Sequence, residues 1–345
     1  MKTGRITAFL LLTFGISWGY DALLTALAGV DAFNNLGMPP WGMLVPAAAA
    51  FLFRFVISND PTHPTASGAA RWIPLSFLIL TGLYALLPVL ALLLPDQARL
   101  MTGLGTLFIS LWTLLVIFLA AQSGGEAMGK MGLGLGDVAA GQRLVLTAAG
   151  YFLLSATLNL IIGLGALQTV QARVYGLPIP DGLYIPALAV LFAAVTVIGG
   201  PLSGIASTFG EEYGWRGFLL DELDPLGGRA AALLTGFIWG IWHLPIILRG
   251  VHTYPPTMAG ILASLSFFTL WGVLQAYAVR RSNSIWTAAF LHGVVNSVYA
   301  FTLTYIVRPD APLCAFGLGW FGIAVLAMLT IVALRSPVFD MKQAT

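Results

Sequence analysis

The chain has 345 residues, 58% of them hydrophobic and 9% charged, with a formal net charge of +2 and a mean hydropathy of +0.89. A soluble domain of this size cannot bury so much apolar side chain, so the composition is that of a polytopic membrane protein. The near-zero charge gives nucleic acid no footing, and the single cysteine, Cys314, excludes an internal disulfide framework and a multi-cysteine metal site.

In chain order, the apolar stretches predict ten spans, near 6–28, 41–58, 72–94, 100–122, 144–168, 186–208, 230–248, 258–279, 284–306 and 313–334. The expected fold class is all-α, a polytopic transmembrane helix bundle of about ten spans. Lys2 and Arg5 precede the first span, but Trp18, Tyr20 and Asp21 interrupt it, so it reads as a retained helix and not as a signal peptide. Connections such as "SNDPTHPTASG" (58–68) and "YGLPIPDG" (175–182) carry Pro, Gly and Asp, which are loop signals. With Met1 in the cytosol, twelve Lys and Arg fall on the cytosolic side and four on the other, which puts both termini in the cytosol. The sixth span can continue helically through Glu211 to about Leu220. The expected division is 1–125 as N-terminal helices without an assigned function, 126–310 as the core, and 311–345 as the last helix and tail.

Of the four histidines, His63 and His252 fall in loops, whereas His243 and His292 fall inside the seventh and ninth spans. An ionisable residue within a span is a functional candidate, with helix–helix hydrogen bonding as the structural alternative. In "EEYGWR" (211–216), Glu212 and Arg216 are i,i+4 neighbours able to pair, and Glu211 is turned about 100° away, free for another partner. "WGIWH" puts Trp239 and His243 on one face, and His292 and Asn296 are again i,i+4. Measured from the cytosolic helix ends, Glu211 lies ~15 Å deep, His292 ~12 Å, Asn296 ~18 Å and His243 ~20 Å, so three helices converge at one level. A carboxylate beside an imidazole can hold and deprotonate a water. A second imidazole and an amide are donors suited to an oxyanion. These are the parts of peptide hydrolysis without a covalent nucleophile, with Arg216 orienting and neutralising the glutamate pair.

The order Glu-Glu-x-x-x-Arg, aromatic-x-x-x-His and His-x-x-x-Asn on successive apolar segments, with the lead-in "MGLGLGDVAAGQR" (131–143), resembles the CPBP family. These are the CAAX prenyl proteases and bacteriocin-processing enzymes, also called the Abi family of intramembrane glutamic endopeptidases. The resemblance covers roughly residues 130–310 and implies a catalytic core over that region. It implies that Glu211 and His243 activate the water, that His292 and Asn296 form the oxyanion hole, and that Glu212, Arg216 and Trp239 support them. No cofactor and no metal are expected. The expected partners are the lipid bilayer and a peptide or protein substrate at the cytosolic face, with prenylated CAAX tails, bacteriocin leaders and membrane-anchored signalling proteins all open. The expected location is the plasma membrane, as a multi-pass protein. Where the family usually carries Phe four residues before the first histidine this chain has Trp239, which bears on the substrate pocket more than on the mechanism.

Other chemistries use some of the same residues. Two histidines and a glutamate could bind zinc, although there is no His-Glu-x-x-His. "GYD" (19–21), "GLGD" (134–137) and "PAL" (186–188) echo the motifs of aspartyl intramembrane proteases, yet the topology keeps Asp21 and Asp137 too far apart to share a proton. No Gly-x-Ser-x-Gly occurs, and Cys314 reads as a small apolar filler. A non-proteolytic membrane scaffold or a proton-coupled transporter would use the same polar cluster and stands as the alternative function.

Overall fold

The computed structural model describes residues 3–31, 41–57, 68–167, 173–174, 177–178, 190, 192–250, 254–301 and 307–340. These residues are helical apart from short turns and two small antiparallel strand pairs. The helices are α1 (Thr3–Ala28), α2 (Val45–Leu52), α3 (Trp72–Leu93), α4 (Ala98–Lys130), α5 (Val138–Ile162) and α6 (Ile205–Gly214). They continue with α7 (Gly228–Trp242), α8 (Leu244–Leu248), α9 (Met258–Ser282), α10 (Ile285–Phe301) and α11 (Trp320–Leu334). Among the described residues, five helical stretches are long and apolar enough to cross a membrane: Gly4–Ala28, Gly68–Leu93, Pro95–Lys130, Val138–Ile162 and Met258–Ser282. Shorter apolar helices, Trp41–Phe55, Ala194–Ser203 and Trp320–Leu334, accompany them. The architecture is therefore a multi-pass helical membrane protein.

Helix boundaries follow local chemistry. The Asp137 carboxylate accepts from the Ala140 N–H at 2.8 Å and opens α5 at Val138, ahead of the hydropathy edge at 144, because capping precedes the apolar run. Gly163, at φ 75°, closes the same helix in the left-handed conformation. The glycine lead-in has a steric reason as well. At Gly136 (φ 58°) a Cβ would fall 2.0 Å from the Ser282 carbonyl oxygen, so only glycine lets this loop dock on the end of α9. The Asp137 N–H donates to that same oxygen at 2.7 Å.

The glutamate-bearing segment is the centre of the fold. Every residue of α6 is buried. Its helical path runs on through a π-helical turn, Trp215–Leu219, and a further turn, Leu220–Leu223, three residues beyond the expected Leu220. α2 forms its back wall. A Cβ on Gly210 would lie 2.4 Å from the Met43 carbonyl oxygen, and one on Gly214 would lie 2.3 Å from the Pro46 Cβ. On another side, α7 and α9 cross at glycines: a Cβ on Gly272 would sit 2.5 Å from the Gly236 Cα. Small residues at such crossings are what allow polar groups on neighbouring membrane helices to meet. Gly214→Ala is expected to cost about 1–3 kcal/mol through overpacking and to lower the melting temperature in detergent. Gly217→Ala, whose Cβ would meet nothing closer than 3.5 Å, should leave that temperature unchanged.

Candidate active site

A carboxylate among apolar helices is tolerated only if it is paired and hydrogen-bonded. The two adjacent glutamates solve this with different partners. Glu212 Oε1 accepts from Arg216 Nη1 at 3.0 Å, from His292 Nδ1 at 2.8 Å and from Gln275 Nε2 at 3.4 Å. The i,i+4 pair expected of Glu212 and Arg216 is thus present, with both side chains fully buried. Arg216 belongs to the π-helical turn that follows α6, a distortion that recurs at functional sites.

Glu211 turns the other way, and its partner comes from α7. The indole N–H of Trp239 donates to Glu211 Oε2 at 2.6 Å. The Arg216 guanidinium lies 4.3 Å from the centroid of the same ring, a cation–π contact. Trp239 also meets His292 edge-on at 5.5 Å, Phe268 at 4.8 Å and His243 at 5.2 Å between centroids. A phenylalanine could make the ring contacts but not the hydrogen bond.

His243 stands where the seventh span breaks. Pro245 has no N–H to continue the ladder, so α7 ends at Trp242 and α8 starts afresh at Leu244, where hydropathy drew one helix to 248. The imidazole stacks on Phe268 at 4.0 Å and 12°. Its Nδ1 bonds the Trp239 carbonyl at 2.9 Å. A carbonyl only accepts, so Nδ1 carries the proton and the lone pair is on Nε2. Trp239 thereby touches both Glu211 and His243, the pair expected to work on one water.

His292 is buried and points its Nδ1 at Glu212. With that nitrogen donating, Nε2 can serve an oxyanion only when the ring is an imidazolium. A single arginine faces two carboxyl groups, so one proton held among Glu211, Glu212 and His292 leaves the cluster neutral, and on the ring it would make the imidazolium. Asn296, one turn on in α10, is exposed.

Two participants were not singled out from the sequence. Gln275 is fully buried in α9 and bridges Glu212 to the Ala288 carbonyl, the latter at 3.3 Å. An amide in mid-span was the available signal. Phe268 carried none, being one aromatic among many. Several other sequence candidates lie elsewhere. Asp21 pairs with Arg249 at 3.1 Å and Asp137 with Arg281 at 3.7 Å, each serving helix ends. Cys314 is exposed in the turn Pro312–Cys314 ahead of α11, and so is not a buried filler. His63, His252 and the segment 186–188 fall outside the described residues. Among the described residues no group of three or more His, Cys, Asp or Glu side chains is arranged to hold a metal ion.

No curated protein and no solved structure gives a significant match to this chain. Residues 181–298, the stretch that carries both glutamates, Trp239 and the two buried histidines, match the model of the family described as Type II CAAX prenyl endopeptidase Rce1-like, which bears out the resemblance to the CPBP family of CAAX proteases.

Proposed function

We propose that this protein is an intramembrane endopeptidase in which Glu211 and His243 activate a water against a substrate peptide bond. The family match supports a CAAX-type intramembrane protease at the family level. The observation that carries the mechanism is the 2.6 Å bond from Trp239 to Glu211 Oε2. It holds one oxygen of a buried carboxylate, which supports a reading in which the other oxygen takes a water, while Glu212 takes the charge of Arg216. The water oxygen adds to the carbonyl carbon, its proton passing to Glu211 or to Nε2 of His243. The C–N bond then breaks and that proton goes to the leaving amine. His292, anchored through Nδ1 by Glu212, presents Nε2 to the oxyanion as an imidazolium. Asn296 joins it from the exposed side once a substrate covers that face.

The same proposal includes ten spans with both termini in the cytosol, a catalytic core over 126–310, a site opening to the cytosolic leaflet, and residence in the plasma membrane. The N-terminal helices, 1–125, are the wall on which the site helix is built. The test is a cleavage assay on the purified protein in detergent, with a panel of fluorogenic CAAX-type and juxtamembrane peptides and a chelator in parallel. Chelator-insensitive cleavage is expected. Chelator-sensitive cleavage would replace the glutamate mechanism with zinc, and inertness toward the whole panel would return the cluster to a scaffold or proton-relay role.

Trp239→Phe isolates the carrying observation. It keeps the ring and removes the N–H, a hydrogen bond to a charged group that is worth about 1.5–3 kcal/mol. We expect kcat to fall roughly ten- to hundredfold without loss of fold. An unchanged kcat would show that Glu211 needs no such anchor.

A further inference from the structure

His243 sits on a discontinuity, which raises the question of what holds it in place. Its own N–H reaches back three residues to the Gly240 carbonyl at 3.2 Å, a tightened last turn, and Pro245 removes the next rung of the ladder. The flanks of the break are gripped instead by α1, from outside the family match. Ser17 Oγ accepts from the Trp242 indole at 2.8 Å. The Trp18 indole donates to the Trp242 carbonyl at 3.1 Å. One turn further, Asp21 Oδ2 pairs with Arg249 Nη2 at 3.1 Å. These contacts fasten both ends of the segment 242–249, and Trp242 is further wedged edge-on against Trp215 at 5.8 Å, next to Arg216. Phe9, Thr13 and Ser17, one to two turns apart, are all buried and keep this face of α1 inward.

We infer that α1 is a positioning element for His243, with Ser17, Trp18 and Asp21 clamping the broken helix so that the imidazole is held in register with Trp239 and the glutamates. This rests on reading His243 as a water-activating residue. It also gives the Asp21 carboxylate, a leftover of the aspartyl-protease echo, a part in the site at one remove.

The experiment uses the full chain in detergent with 13C-labelled histidine, the His243 and His292 ring signals being assigned by His243→Ala and His292→Ala. The probe is a fluorogenic farnesylated CAAX peptide. Ser17→Ala combined with Trp18→Phe, and separately Asp21→Asn, should shift the His243 signal and leave that of His292 in place. The melting temperature should stay near that of the wild type. kcat should fall about ten- to hundredfold, as slight misplacement of a catalytic group does, with KM unchanged. Asp21→Glu should restore the charge pair, the signal and kcat. The inference is overturned if the His243 signal does not move, or if that of His292 moves equally, which would mean general loosening. If the wild type cleaves nothing, the protease reading fails on its own, and the two histidine signals still decide whether α1 clamps His243.

Discussion

Glu211→Gln is expected to lower kcat by about 10²–10⁴-fold, the contribution of a positioned general base, while the protein still folds. The substitution is nearly isosteric, and the amide oxygen can still accept the Trp239 N–H that now reaches Glu211 Oε2 at 2.6 Å. What disappears is the ability to take a proton from water. Arg216 keeps its bond to Glu212 at 3.0 Å, so the only charge left over is the proton on His292, which the ring can release. Stability in detergent should therefore hold or rise, which separates loss of chemistry from loss of fold. Glu212→Gln makes the opposite comparison: Arg216 and His292 lose their common anion, so stability and kcat fall together. Cleavage by Glu211→Gln at a rate near that of the wild type would remove Glu211 as the base. His243, whose Nε2 holds the lone pair, would then be the first candidate to replace it.

Local spacing made part of this site legible before any coordinates. The i,i+4 rule foretold Glu212–Arg216 because both partners sit on one helix, where geometry follows from sequence distance alone. The packing of Trp239 on His243 was legible for the same reason. Contacts between helices were not. Nothing in "WGIWH" says that its first indole points at Glu211, because that depends on how α6 and α7 are rotated, and those rotations follow from close packing of α6 on residues 43–46 and of α7 on α9. The break at His243 could have been read, since Pro245 is in plain view and the residues before a proline resist helix. Averaging hydropathy over a span hid it. The clamp from α1 lies more than 220 residues away in sequence (|i−j| = 224 for Trp18 to Trp242), and its polar members look there like ordinary interruptions of an apolar run.

Arg216→Met should be the most damaging single change to stability. Both Arg216 and Glu212 are fully buried, and removing one partner of a buried pair costs about 3–5 kcal/mol because the other is left charged without compensation. Gln275 and His292 would remain on Glu212 Oε1, but a neutral amide and a ring that must itself take up a proton are poor substitutes for a guanidinium. The Trp239 face would lose its cation too. A fall in melting temperature on the order of 10 °C in detergent is the expected reading. The double variant Glu212→Leu with Arg216→Met removes both charges and should recover much of that loss, since apolar replacement of an entire buried pair is often neutral. Its activity should not recover, because His292 would have lost the acceptor that fixes its Nδ1. Stability regained without turnover would show the pair to be an electrostatic support for His292. Recovery of both would mean that Glu212 and Arg216 only pack the helices, and recovery of neither would show that the two charges are not coupled.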